Sequence, residues 1–244
     1  MRIKITVEYD GTEYCGWQVQ PNGITVQQRL NEAVEALTDE KTSVVGSGRT
    51  DSGVHAAGQV AHFDTNSTIP PQRFAAALNS VLPADIRVLS SCEAEEGFHA
   101  RFCAKKKTYS YKMYIAETVR PLWDRYACLL AYPVDVAAMS SAAKLFVGEH
   151  DFRSFMASGS SVQDTVRTVY SASVTTDGDF ITFTVCGSGF LYNMVRIMAG
   201  TLVEVGAGRM SEADVVSALE NGQRTLSGKT MPPHGLTLVS VEYL

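Results

Sequence analysis

The sequence predicts an α+β protein built from two ferredoxin-like (βαββαβ) units with antiparallel sheets and helices packed on one face. Two observations carry this. Stretches such as RIKITVEY and TYSYKMYIA alternate apolar and polar residues with the period of a half-buried strand. Between such stretches lie segments with apolar residues at helical spacing, in the same order in both halves.

The first half opens with Ile3, Ile5, Val7 and Tyr9 alternating against Arg2, Lys4, Thr6 and Glu8. TVQQRLNEAVEALT follows as a helix, with Thr25 and Gln28 spaced as a capping box and Val26, Leu30, Val34 and Leu37 on one face. Two apolar strands are expected around Val44–Val45 and Gln59–Phe63. PPQRFAAALNSVL is then a helix with Pro71 in its first turn, and IRVLSS a closing strand. In the second half TYSYKMYIA is a strand, a helix runs from about Val136 to Phe146 behind Asp135 as cap, and VRTVYSASVTTDGDFITFTV is a hairpin turning at Asp177-Gly178. FLYNMVRIMAGTLVEV is helical, SEADVVSALE is a short helix capped by Ser211, and GLTLVSVEYL is the last strand of the second unit. The units are expected at 1–105 and 106–244, joined near residues 104–107.

A chain of 244 residues with 45% hydrophobic content fills a real core. No export signal or membrane span is read in it, so no membrane partner is expected and the cytoplasm is the expected location. The five cysteines are scattered and never spaced C-x-x-C, which argues against a disulfide framework and a zinc cage. His55 and His62 lie outside the usual metal-ligand spacings, and no metal is expected. A net charge of −5 would by itself argue against a nucleic-acid partner. The distribution argues otherwise: RFCAKKKTYSYK holds Arg101, Lys105, Lys106, Lys107 and Lys112 without an acidic residue. That run fits either a phosphate track or a strand edge protected by lysines.

GSGRTDSGVH, residues 46 to 55, invites comparison with phosphate-binding loops. Asp51 stands where a dinucleotide loop needs its last glycine and would repel a pyrophosphate. A Walker loop lacks its Lys-Ser/Thr pair, and GSGF at 187–190 is not a nucleophile elbow. What remains is a glycine-rich turn after the strand residues Val44 and Val45 that presents a carboxylate, with glycines at 46, 48 and 53 to allow tight turns and close ligand approach. An Asp in such a turn also serves as a simple Asx-turn or helix cap.

YDGTEYCGWQ, GSGRTDSGVHAAGQVAHF, FHARFCAKKKTYSY, FLYNMVRIMAG and GLTLVSVEY together resemble, in order and over nearly the whole chain, the successive motifs of the TruA family of tRNA pseudouridine synthases. The resemblance implies conversion of uridine to pseudouridine at positions 38 to 40 of the tRNA anticodon stem-loop. It makes Asp51 the catalytic nucleophile, Tyr109 the residue stacking on the displaced uracil, Arg196 the ion-pair partner of Asp51, and Leu236 an apolar residue packing under the active site. It implies that Arg49 holds the RNA; the basic run is then expected to add backbone contacts from Arg101, Lys105, Lys106 and Lys107, and with Asp51 in the first unit and Arg196 in the second the active site is expected in a cleft between them. A homodimer acting on tRNA without any cofactor is expected. Attack at C1′ of the sugar and attack at C6 of the base both remain open. A non-catalytic RNA-binding module of twin ferredoxin-like units accounts for the basic run and tyrosines equally well, and a nucleoside hydrolase using paired carboxylates is a third reading.

Overall fold

The computed structural model describes residues 1–159 and 162–243. The chain is mixed α/β and divides into two units, Met1–Lys105 with Thr237–Leu244, and Lys106–Leu236.

In the first unit the order is β1 (Arg2–Tyr9), α1 (Val26–Thr38), β2 (Val45–Gly46), β3 (His55–Asp64), α2 (Phe74–Val81) and β4 (Ile86–Glu93). β1 lies between β3 and β4 and is antiparallel to both, and β2 is antiparallel to β3. The alternation in β1 does what its period demands: Ile3, Ile5 and Val7 are fully buried while Arg2, Lys4 and Thr6 remain partly open. Val26, Leu30 and Val34 of α1 and Phe74 and Leu78 of α2 complete this core, with Phe63 of β3 meeting Phe74 edge-on at 5.4 Å. Each such side chain contributes about 1.5–3 kcal/mol by leaving water.

Only half of the expected capping box forms at α1. The Thr25 hydroxyl accepts from the Gln28 N–H at 3.3 Å, but the Gln28 side chain turns along the helix to Glu32 at 2.8 Å. Pro71 opens a short 3₁₀ turn, Pro71–Arg73, from which α2 continues.

The second unit contains β5 (Lys106–Ile115), β6 (Cys128–Leu130), α3 (Val136–Ala143), β7 (Gly148–Asp151), β8 (Val166–Asp177), β9 (Phe180–Gly187), α4 (Met194–Gly206) and α5 (Glu212–Asn221). Its sheet runs β6-β5-β9-β8-β7, antiparallel except for the β5–β6 pair. Asp135 caps α3 by accepting from the Ala138 N–H at 3.0 Å, and Ser211 and Asp214 form a complete capping box on α5. The hairpin turn falls one residue later than expected. Asp177 pairs with Phe180, so Gly178 and Asp179 form the loop, with positive φ at Gly178 alone. Gly at the first loop position with that geometry gives a type II′ turn, which matches the strand twist. β6 and β7 escape the sequence reading because three- and four-residue strands are too short to establish a period.

The closing segment is a strand as expected, β10 (Leu236–Glu242), although Leu244 lies outside the described residues. Leu236 falls in the second of the two units. From Thr237 onward the strand belongs to the first, pairing parallel to β3 through Thr237 with His55 and Leu238 with Ala56. Alternation marks a half-buried strand but does not name its partner. Gly58 of β3 permits the approach, since a Cβ there would stand 2.5 Å from the Val239 carbonyl oxygen.

Candidate active site

Residues 46–55 leave β2 and enter β3 as a loop held by the turn that follows β1 and by side chains of β1 and β3. Trp17 donates its backbone N–H to the Thr50 carbonyl at 3.0 Å, and the Tyr14 carbonyl accepts from the Gly53 N–H at 3.3 Å and the Ser52 hydroxyl at 3.2 Å. Gly16, at φ +81°, lies so close that a Cβ would stand 2.6 Å from the Thr50 oxygen. Gly46 is equally confined, with the Trp17 indole 2.5 Å from where its Cβ would be. At the loop's end the Gly11 N–H donates to His55 Nδ1 at 3.0 Å, and Asp10 Oδ1 lies 3.2 Å from the same nitrogen. An Nδ1 that accepts from Gly11 leaves the ring proton on Nε2, so the Asp10 contact is not an ion pair in that tautomer.

Beneath the loop lies a polar cluster with almost no exposure: Tyr9 3%, Ser47 0%, Thr50 6% and Gln59 0%. The Tyr9 and Thr50 hydroxyls are 2.7 Å apart. The Ser47 hydroxyl donates to Gln59 Oε1 at 2.6 Å, and Gln59 Nε2 donates to the Gly48 carbonyl at 3.0 Å. Burial pushes the Tyr9 phenol well above its ordinary range, so it stays protonated. Above this base Asp51 is half-buried and Arg49 exposed. The Asp51 carbonyl accepts from the Val54 N–H at 3.1 Å, closing the turn immediately after the carboxylate.

In the second unit Tyr109, Arg196 and Leu236 come from β5, from α4 and from the first position of β10. Tyr109 is 8% exposed, pairs with Val185 of β9 and meets Phe190 edge-on at 5.1 Å. All thirteen residues of α4 are buried except its two charged ones, Arg196 near the start and Glu204 near the end. Its Nε donates to the Met231 carbonyl and an Nη to Asn193 Oδ1, both at 2.7 Å, while Asn193 adopts the left-handed conformation just before the helix. The Tyr111 hydroxyl donates to the Pro232 carbonyl at 2.8 Å, and burial raises that phenol far above its usual range. Segment 231–236 is thereby tied to both β5 and α4, and Leu236 at its end is 6% exposed.

The basic run does not form one stripe. Arg101 is exposed with its guanidinium 5.9 Å from the Phe102 ring, and the Lys105 N–H donates to Glu242 at 2.8 Å. Strand alternation sends Lys106 and Lys107 to opposite faces of β5, Lys106 over the Tyr170 ring at 5.6 Å and Lys107 to the side of Tyr109. Among the described residues no cluster of three or more His, Cys, Asp or Glu side chains is arranged to hold a metal, and no helix is long and apolar enough to cross a membrane.

Sequence reasoning missed Tyr9, Ser47, Thr50 and Gln59. One signal was present: a lone Gln within the apolar run AAGQVAHF must, if that run is a buried strand, meet polar partners.

The model of the family described as tRNA pseudouridine synthase matches residues 5–103 and 142–244. A protein of Caldicellulosiruptor bescii named tRNA pseudouridine synthase A is 47% identical over 241 residues, 99% of either chain. Proteins of the same name from Geobacter sp. strain M21 and Moorella thermoacetica are 50% and 49% identical, covering 99% of this chain and 98% and 99% of theirs. The family match takes in the whole pinned loop and its base, and the chain therefore belongs to the tRNA pseudouridine synthases, isomerases that convert uridine in tRNA to pseudouridine.

Proposed function

We propose that this enzyme acts on uridines 38 to 40 of the anticodon stem-loop, with Asp51 as the covalent nucleophile. The observation that carries the reading is the loop itself, whose backbone is bonded on both sides of Asp51 while the carboxylate is left half-buried at its crest. The reaction breaks the bond from C1′ to N1, turns the uracil and rejoins it through C5. C5 gives up a proton and N1 gains one, so composition is unchanged. A positioned carboxylate is enough for covalent catalysis of such a step, at C1′ or at C6.

In this reading the two units are ferredoxin-like and the site occupies a cleft between them, with Arg196 holding Asp51 ionised. At 4 Å and an effective dielectric near 20, such a pair gains about 4 kcal/mol before desolvation. Tyr109 offers a ring to the extruded uracil, and stacking of this kind contributes about 1–3 kcal/mol. Extrusion from the stem costs a few kcal/mol, offset by phosphate contacts from Arg49, Arg101, Lys105, Lys106 and Lys107. Leu236 packs beneath the base. The enzyme works as a homodimer on one tRNA in the cytoplasm, a reading supported by its likeness to the family.

The test uses an unmodified tRNA transcript with pseudouridines mapped by carbodiimide. Asp51→Asn and Asp51→Ala are expected to abolish product while tRNA affinity stays within about tenfold. Turnover by either variant would refute the nucleophile assignment, and release of free uracil by the wild type would make the enzyme a hydrolase.

A further inference from the structure

We propose that Tyr9, Thr50 and Gln59 are positioning residues for the reaction: a buried hydrogen-bonded base that fixes where the Asp51 carboxylate stands. The inference rests on Asp51 being the nucleophile. Thr50 immediately precedes Asp51, and three separate contacts fix it: its hydroxyl to Tyr9 at 2.7 Å, its carbonyl to the Trp17 N–H at 3.0 Å, and Gly16 packed against that carbonyl. Gln59 extends the base to the other arm of the loop, taking the Ser47 hydroxyl at 2.6 Å and giving an N–H to Gly48 at 3.0 Å. The Tyr9–Thr50 pair thus holds one arm of the loop and the Ser47–Gln59–Gly48 chain the other, and all four side chains are buried. In a folded core these groups would be replaced at little cost by apolar side chains of similar shape. A network fully satisfied inside a low-dielectric region instead specifies one geometry. Here it lies under the residue whose placement matters to a fraction of an ångström.

Tyr9 ends β1 beside an irregularity in the β1–β3 ladder, where the pairing passes from Val7–Gln59 to Tyr9–Ala56 and two residues on β1 span three on β3. That extra residue in β3 sets Tyr9 and Gln59 out of simple register and points both toward the loop. The Tyr9 ring also lies 6.0 Å from Trp17, the other anchor of Thr50. A chain built only to bury β1 has no need of a hydroxyl here, because phenylalanine would fill the same space.

The test is kinetic and uses the full chain, each variant assayed where circular dichroism shows it folded. Tyr9→Phe removes one hydroxyl and keeps the ring, and Thr50→Val removes the other and keeps the shape. Each is expected to lower kcat about 10- to 100-fold, with KM for tRNA held within about twofold, since displacement by a large part of an ångström costs that much in rate. Thr50→Ser, which restores the hydroxyl, should recover most of the rate lost in Thr50→Val. The double variant should be no slower than the slower single one within about threefold, because both break the same bond. Unchanged kcat in either single variant, a loss confined to KM, or a Thr50→Ser no faster than Thr50→Val would overturn the proposal. Asp51→Ala is run in parallel. If it is inactive while the hydroxyl variants keep full rate, only the positioning role fails; if it is active, the nucleophile assignment fails and takes this inference with it.

Discussion

Gly16→Ala tests whether the loop must stay where it is. The native φ of +81° lies in the left-handed region, which for an alanine costs about 1–2 kcal/mol. The added Cβ would stand 2.6 Å from the Thr50 oxygen, 3.1 Å from the Asp51 carbonyl carbon and 3.2 Å from the Ser52 nitrogen. Those atoms are backbone on both sides of the carboxylate, so no rotamer change relieves the contact. An ordinary contact begins near 3.4 Å, and the Thr50 carbonyl has to retreat by about 0.8 Å, the difference between the two distances. For a chain of this size each kcal/mol lowers Tm by about 2–4 °C, so a drop of about 2–8 °C is expected. A displacement approaching 1 Å lowers kcat by on the order of 10–100-fold. Gly97→Ala is the control: its φ is +77°, and a Cβ there meets nothing within 4 Å. It should lose a similar few degrees and keep its rate. Thermal melts and initial rates of pseudouridine formation on one transcript read both quantities. Equal rates in the two variants would refute the argument that loop position limits catalysis.

Three further outcomes are expected. Ser211→Ala removes one arm of the capping box on α5 and should cost about 1 kcal/mol, seen as a Tm about 2–4 °C lower with unchanged activity. His62 is held down to about 4 by burial first, then by the nearby Arg2 and His99 charges, and its Nδ1 accepts from the Ala100 N–H at 3.2 Å. Because its folded pKa lies below its unfolded value near 6.5, the unfolded chain binds the extra proton between pH 6.5 and 4. Its contribution is complete above pH 6.5 and is lost as pH falls toward 4. The drop in Tm from pH 7 to pH 5 should therefore shrink in His62→Gln, and an unchanged drop would remove His62 as its source. Neutralising Lys105, Lys106 and Lys107 together should weaken tRNA binding and flatten its dependence on salt; an unaltered slope would mean that they do not meet phosphate.

Much of this molecule is legible in its letters where a residue acts on its neighbours in sequence. The alternation of β1 and the caps at Asp135 and Ser211 depend on spacings of two to four residues, and each is where the sequence places it. Features that depend on distant partners are not legible. Nothing in GLTLVSVEYL says that it will lie beside His55 and Ala56, and β6 and β7 exist only because neighbouring strands offer them an edge. The same division holds at the site. GSGRTDSG announces a tight polar turn presenting Asp51, but not that Tyr9, 41 residues from Thr50, supplies the hydroxyl beneath it. The short helical register of Gln28 with Glu32 likewise takes the Gln28 side chain away from the second half of the box expected at Thr25, a contest that spacing alone does not decide.

The parallel pairing of β10 with β3 also bears on the order in which the enzyme can be completed during synthesis. A ribosome delivers β3 and the loop 46–55 early, yet the strand that seals the His55 edge emerges only after the entire second unit has been made. A nascent chain stalled anywhere before residue 237 therefore carries Asp51 on a sheet with an open margin. A premature stop removes the strand beside His55 at the same moment that it removes the tail.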